Sequence, residues 1–169
     1  GLTSDMVFEI VQVGADITSL SMRDLDGDGE KDLVIAVAST DTLAMIKGGT
    51  NGSIETNNPV YLPAAGADPA SLVADDLNGD AKIDLAWIQT DALGYRVMQI
   101  AQNNGDFSFT ALAPGSDPVN FLMAADITGS GTLDMLTMET GSSGLLSGFA
   151  NLSLLEQPDP HLDHFLDKT

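Results

Sequence analysis

The sequence predicts an all-β protein, a β-propeller-like array of about three four-stranded antiparallel blades. Three observations carry this prediction: an acidic loop motif that occurs three times, an apolar run after each loop, and turn-forming residues throughout the chain. Gly, Pro, Asn and Asp interrupt the sequence about every 8 to 12 residues, as short strands joined by turns require. No stretch of the first 140 residues has helical periodicity.

The composition indicates a folded, acidic chain. Its 169 residues include 25 Asp and Glu against 6 Lys and Arg, a formal net charge of -19, and 43% are hydrophobic. This charge repels phosphate backbones and attracts divalent cations, so we expect no nucleic-acid partner. The absence of Cys excludes disulfides and thiolate chemistry. No apolar run approaches the roughly 18 residues of a membrane span, and neither a span nor a signal peptide is expected.

The repeat has a period of about fifty residues, the length of four short strands with their turns. Its loops begin at Asp24, Asp76 and Asp126, which lie 52 and then 50 residues apart. An Asp-initiated stretch precedes each loop and is predicted to be the first strand. We expect one domain at 1–155 and a C-terminal tail at 156–169. The repeats are placed at 16–67, 68–116 and 117–155.

Local patterns predict the remaining strands of each repeat. Leu33–Ala38 is apolar at every position, which predicts a second strand covered on both faces, as where sheets stack radially. Arg96–Ala101 alternates in part and is the clearest third strand. Asn-Gly pairs predict hairpin turns before the fourth strands. The pairs are Asn51-Gly52 and Asn104-Gly105, and the fourth strands that follow them are Pro59–Leu62 and Phe107–Leu112.

The acidic residues of the loops have the spacing of a calcium-binding turn. In the first loop carboxylates occupy positions 1, 3, 5 and 9, a glycine at position 6 lets the chain reverse, and the carbonyl of position 7 adds a backbone oxygen. Hard oxygen ligands at this spacing suit Ca²⁺ better than Mg²⁺, which demands a near-ideal octahedron. The predicted ligands are Asp24, Asp26, Asp28, Glu30 (carbonyl) and Asp32; Asp76, Asn78, Asp80, Lys82 (carbonyl) and Asp84; and Asp126, Thr128, Ser130 and Asp134.

The three loops differ in their expected strength. The second has Ala81 where glycine is usual, and a positive φ there would cost alanine roughly 1 kcal/mol. The third keeps two carboxylates, with Thr128 and Ser130 between them, so a metal-free turn is expected. We therefore expect two bound Ca²⁺ ions and a third that is weak or absent.

An EF-hand is excluded, although its loop begins in the same way. An EF-hand requires a bidentate Glu at position 12 and a helix on each side. Position 12 of the three loops is Ile35, Trp87 and Thr137, none of which can chelate.

Through these loops the chain resembles the FG-GAP/VCBS type of calcium-binding β-propeller repeat, also found in integrin α-subunit propellers. The resemblance rests on Asp24–Leu33, which matches the family's D-x-D-x-D-G-x-x-D loop at every position, on Asp76–Leu85, which matches it well, and on Asp126–Met135, which matches it loosely. The plainer bacterial VCBS-like form is closer, because the Phe-Gly and Gly-Ala-Pro signatures of the integrin form are not clearly present. The resemblance implies four-stranded blades and an extracellular, secreted or periplasmic setting, where millimolar Ca²⁺ can fill weak sites.

Three blades cannot close a ring, since propellers need at least four. Three alternatives stay open: a fragment of a longer propeller, an open arc, or a ring completed by oligomerisation. Val7–Val13 is predicted to be the outer strand of a missing preceding blade, which favours a fragment or a shared ring.

The predicted function is recognition, adhesion or scaffolding by a calcium-stabilised module with a protein or glycan ligand. No catalytic residue is predicted, because the repeats contain no nucleophile beside a base and no phosphate-binding loop. The alternative is part of a secreted, lyase-like polysaccharide-acting enzyme, which Arg23, Lys31 and Lys82 near the loops keep open. Trp87 is predicted to lie in the core, and His161 and His164 in a polar tail.

Overall fold

The computed structural model describes residues 10–115, 118–126, 129, 133–138 and 149–151. In these residues the chain forms thirteen strands in four antiparallel sheets, with two 3₁₀ turns at Ala38–Thr40 and Thr50–Gly52. The predicted all-β class is confirmed, while the described residues do not close a propeller ring. No helix in this part of the chain has the length and apolar character needed to cross a membrane.

The strands follow the sequence repeat. The first repeat contains β1 (Ile17–Arg23), β2 (Asp32–Val37), β3 (Thr42–Ile46), β4 (Gly48–Gly49), β5 (Ser53–Ile54) and β6 (Val60–Pro63). The second contains β7 (Ala67–Asp75), β8 (Asp84–Thr90), β9 (Arg96–Gly105) and β10 (Ser108–Ala111). The third contains β11 (Phe121–Ala125), β12 (Asp134–Met138) and β13 (Phe149–Asn151).

Each repeat forms one main antiparallel sheet, and the β4-β5 hairpin of the first repeat is the fourth sheet. The first sheet has the order β1-β2-β3-β6, with the short β4-β5 hairpin inserted between its last two strands. The second sheet has the order β7-β8-β9-β10, and the third has the order β11-β12-β13. Four-stranded sheets therefore occur in the first two repeats, as predicted, and three strands are described in the third.

The second strand of the first repeat is buried on both faces, as its unbroken apolar run predicts. Val34 and Ala36 lie in a core shared with the second sheet, while Ile35 and Val37 lie in a core with Val13. This burial explains why the run does not alternate, since neither face of the strand meets water.

The sheets pack against one another through two apolar cores. The core between the first and second sheets includes Trp87, which is fully buried, so its predicted place in the core is confirmed. Tyr61 and Tyr95 are exposed. The core between the second and third sheets consists of Leu77, Ala86, Ile88, Ile100, Val119, Leu122 and Met135.

The two Asn-Gly pairs behave differently. Asn51 and Gly52 both have positive φ values, 64° and 74°, and form the tight turn of the β4-β5 hairpin. Asn104-Gly105 remains in β9 instead, and the turn is formed by Asp106 and Phe107, with φ values of 51° and 59°. The prediction for the second pair is wrong by two residues, because the preceding buried asparagine, Asn103, extends the strand and fixes its register.

The predicted amino-terminal strand is not seen at its described end. Residues 10–13 carry no strand, and residues 7–9 lie outside the described part of the chain. Val13 is buried and Val11 packs beside it against β2 and β3, so this segment covers the first sheet with side chains instead of pairing as a strand. The tail with His161 and His164 also lies outside the described residues.

Candidate metal centre

The last carboxylate of each loop motif begins the second strand of its repeat and is buried. These residues are Asp32 at the start of β2, Asp84 at the start of β8 and Asp134 at the start of β12. A buried carboxylate needs hydrogen-bond donors, because burial without partners costs several kcal/mol. The equivalent placement shows that the three motifs align structurally at this position.

Asp32 binds two backbone amides that belong to different segments. Its Oδ2 accepts a hydrogen bond from the Leu25 amide at 2.7 Å, and its Oδ1 accepts one from the Gly48 amide at 2.7 Å. Burial raises the pKa of this carboxyl above its usual range, and the two amide bonds oppose the shift. Asp32 therefore connects Leu25, the second residue of the loop, and Gly48, which follows β3, to the start of β2.

Asp84 makes the same two connections in the second repeat. Its Oδ1 accepts from the Asn103 amide at 2.9 Å, and the carboxylate also accepts from the Leu77 amide. Burial is again the main cause of its raised pKa, which the amide bonds counteract. Position 9 thus has the same structural role in both loops, beyond its predicted role as a ligand.

Side-chain oxygens fold the first loop by accepting its own backbone amides. Asp24 accepts from Gly27 at 2.8 Å and from Gly29 at 2.9 Å, both of which have positive φ. Asp26 accepts from the Asp28 amide at 3.2 Å. Asp28 accepts from the Glu30 amide at 2.8 Å. These bonds turn the loop so that its carboxylates lie side by side.

The second loop repeats this pattern position by position. Asp76 accepts from Gly79 at 2.7 Å and from Ala81 at 2.9 Å, Asn78 accepts from the Asp80 amide at 2.9 Å, and Asp80 accepts from the Lys82 amide at 2.9 Å. Ala81 has a φ of 65°, close to the left-handed conformation that Gly29 adopts at 90° in the first loop. Alanine therefore keeps the turn at a conformational cost, as predicted.

Three carboxylates of the first loop converge on one point. One oxygen from each of Asp24, Asp26 and Asp28 lies within 4.8 Å of the others, a separation at which the group could hold a metal ion. Asp32 is outside this group, with its two oxygens on backbone amides. An all-oxygen donor set of this charge fits a hard divalent cation such as Ca²⁺.

A lysine ammonium already lies against this cluster. Lys47 follows β3, and its Nζ forms ion pairs with Asp26 and, at 3.0 Å, with Asp28. The two carboxylates raise the pKa of Lys47, and the ring of Phe107 lies 6.0 Å from its Nζ. The Glu30 amide first and Lys47 second hold the pKa of Asp28 below its usual range. The carboxylates of the first loop therefore already bind one positive charge, the ammonium of Lys47.

The second repeat has Gln102 in the place of Lys47. The register shows the equivalence: Leu33 pairs with Ile46 and Leu85 with Ala101, and Lys47 and Gln102 each come next. The second loop, with Asn78 in place of a carboxylate, thus has one acid fewer and one lysine fewer than the first. The formal charge of loop positions 1, 3 and 5, taken together with Lys47 in the first repeat or Gln102 in the second, is therefore -2 in both.

The third loop is described only in part. Asp126 and Asp134 are described, with Asp134 buried, while Thr128 and Ser130 lie outside the described residues. The prediction that this loop is a weak or metal-free site stays a prediction.

A groove of about 390 Å³ separates the first two loops. Its lining includes Arg23 and Lys82 as well as carboxylates of the first loop. Arg23 is paired with Asp75 at 3.1 Å, at the end of the neighbouring strand β7. Arg23, at the end of β1, therefore connects the first sheet to the second through this ion pair.

The comparison with known families bears on this loop region. Residues 24–87 match the family model of the FG-GAP-like repeat. The FG-GAP part of the resemblance drawn from the loops is thereby confirmed for this segment, which begins at the first loop and ends in the second strand of the next repeat. The FG-GAP-like match thus includes both of the stronger loops and the whole of β2 to β7. No curated protein matches the chain.

Sequence reasoning missed two residues of the candidate centre. Lys47 lies 21 residues from Asp26, and the side chain of Asn103 reaches the Leu25 carbonyl over 78 residues. For Lys47 a signal existed, because aligning the repeats places the scarce lysine opposite Gln102 beside the more acidic loop. Asn103 had no comparable signal, since the adjacent Asn104-Gly105 pair indicated a turn.

Proposed function

We propose that this chain is an extracellular, calcium-stabilised FG-GAP-type module that acts in recognition, adhesion or scaffolding. The observation that carries the proposal is the convergence of Asp24, Asp26 and Asp28, together with the equivalent hydrogen bonds of the second loop. The FG-GAP-like match of residues 24–87 supports a β-propeller-type module and an extracellular setting.

The role of Ca²⁺ would be structural. Three carboxylates within 4.8 Å repel one another, and a divalent cation held by Asp24, Asp26 and Asp28 would cancel the repulsion that the ion pairs of Lys47 leave. In the second loop Asp76, Asn78 and Asp80 would supply the equivalent oxygens. Two ions would change the formal charge of the chain from -19 to -15. Metal binding and folding of the loops would then be coupled.

A recognition role fits this stabilised scaffold better than catalysis. The lyase-like alternative requires free cations beside carboxylates in a cleft. Of the two cations that line the groove, Arg23 pairs with Asp75, and Lys82 is the one that the alternative would use. We propose a protein or glycan as the ligand, which a glycan array and an assay for uronate cleavage would distinguish from an enzyme substrate.

The metal proposal is tested by thermal melting with excess Ca²⁺ and with EGTA. A site filled at a hundred times its Kd stabilises by about 2.7 kcal/mol, so the melting temperature should rise by roughly 5–10 °C. Asp28→Asn and Asp80→Asn should each remove part of the rise, and Asp106→Asn, at a turn outside the loops, should remove none. Equal melting temperatures in Ca²⁺ and EGTA would refute the proposal.

A further inference from the structure

Each sheet has a front face, defined here by the residues four and two positions before the first Asp of its loop. In the second sheet these residues are Leu72 and Ala74, which are buried in the core shared with the first sheet. In the third sheet they are Leu122 and Ala124, which pack in the core shared with the second sheet. The front face of a sheet therefore packs on the sheet that precedes it.

Among the described residues, none gives the front face of the first sheet such a cover over β1. Leu20 and Met22 occupy the same two positions and are 62% and 45% exposed. They pair with Ile35 and Leu33, which places them on the face that Val13 covers farther along the sheet. The apolar positions that lie in the cores of the other two sheets are thus open to solvent here.

The opposite, back face is defined by the residues five and three positions before the same Asp. In the first two sheets they are small or mostly polar and are half-buried under the following sheet: Ser19, Ser21, Ser71 and Val73. In the third sheet they are Phe121 and Met123, which are 42% and 39% exposed. The third sheet, where these positions are exposed, therefore has larger apolar side chains there than the first two sheets have.

Repeat arrays normally end in polar faces, since an apolar end would expose what the interior repeats bury. The described array instead has exposed apolar residues on the front face of its first sheet and on the back face of its third. We propose that the front face of the first sheet in one copy of this chain packs on the back face of the third sheet in a second copy, head to tail. The contact would continue the front-to-back packing that already joins the three sheets within the chain.

This contact is heterologous, so each copy offers one front face and one back face. It would generate a closed ring or a chain of copies, according to the rotation between them. The inference goes beyond the proposed function and does not depend on bound calcium. Because each copy carries a net charge of -19, salt that screens the repulsion should strengthen the association.

The test uses sedimentation velocity over a range of protein concentrations, at low and high salt. The wild-type chain should self-associate. Leu20→Ser with Met22→Ser, the front variant, should be monomeric. Phe121→Ser with Met123→Ser, the back variant, copies the serines of the first repeat and should also be monomeric. Leu93→Ser, at an exposed turn, is the control and should associate as the wild type does.

Mixing the two monomeric variants gives the decisive result. The back face of the front variant and the front face of the back variant are both intact, so the mixture should form a one-to-one dimer that grows no further. Circular dichroism of each variant checks that its sheets remain folded. A wild-type chain that stays monomeric throughout, unchanged association in the two variants, or no dimer in the mixture would each overturn the proposal.

Discussion

Asn103 connects the two stronger loops, and its substitution is the most informative single change. The side chain is 4% exposed. Its Nδ2 donates to the carbonyls of Leu25 at 2.8 Å and Ile83 at 3.0 Å, and its Oδ1 accepts from the Gly105 amide at 2.8 Å. Asn103→Ala removes these three bonds and leaves the backbone bond to Asp84 in place.

The structure gives the size of the expected effect. A buried hydrogen bond contributes about 1 kcal/mol net, so the loss of three lowers the free energy of unfolding by about 3 kcal/mol. That is a large share of the roughly 5–15 kcal/mol that stabilises a typical domain. The effect should reach the first loop, because the amide of Leu25 is held by Asp32 while its carbonyl is held by Asn103.

The measurement is urea unfolding followed by circular dichroism, with hydrogen exchange of the Leu25 and Gly29 amides as the local readout. Asn104→Ala is the matched control. Asn104 is the next residue, is exposed, and bonds to Ser108 and Thr110 on the adjacent strand. Asn104→Ala should lower the free energy of unfolding by less than about 1 kcal/mol and leave the first-loop amides protected from hydrogen exchange. If the two variants lose equal stability, or if exchange in the first loop is unchanged in Asn103→Ala, the connection described here is wrong.

Three further substitutions test the loops. Ala81→Gly should stabilise the chain to urea by about 0.5–1 kcal/mol, because glycine removes the cost of the 65° φ, and Gly29→Ala should show the reverse; a destabilising Ala81→Gly would contradict this. Lys47→Gln should strengthen Ca²⁺ binding several-fold in calorimetry and raise the pKa of Asp28 toward 3.8, incompletely, because the Glu30 amide remains. Since that pKa is lowered in the fold, Asp28 stabilises the chain above pH 3.8, and this contribution is lost as the pH falls through the folded value. An unchanged Asp28 titration by NMR would refute the role of Lys47.

The local sequence was enough to predict the repeat and the loops. The side chains that shape each loop lie within nine residues of one another, and their hydrogen bonds join near neighbours such as Asp24 and Gly27. The apolar run at Leu33–Ala38 likewise predicts a strand buried on both faces, because burial selects residue type at every position. Interactions of short sequence separation leave their pattern in the sequence itself.

The tertiary structure decided which distant residues meet these local elements. The bond from Asn103 to Leu25 depends on how the second sheet lies against the first, while the ion pair of Lys47 with Asp26 and the turn at Asp106 depend on how strands pair within one sheet. The exposure of Leu20 depends on the packing of sheets too, since the residue at the same position of the second repeat is buried. Equivalent residues of a sequence repeat share the same sequence pattern. Their contacts differ, because the fold packs a different segment beside each of them.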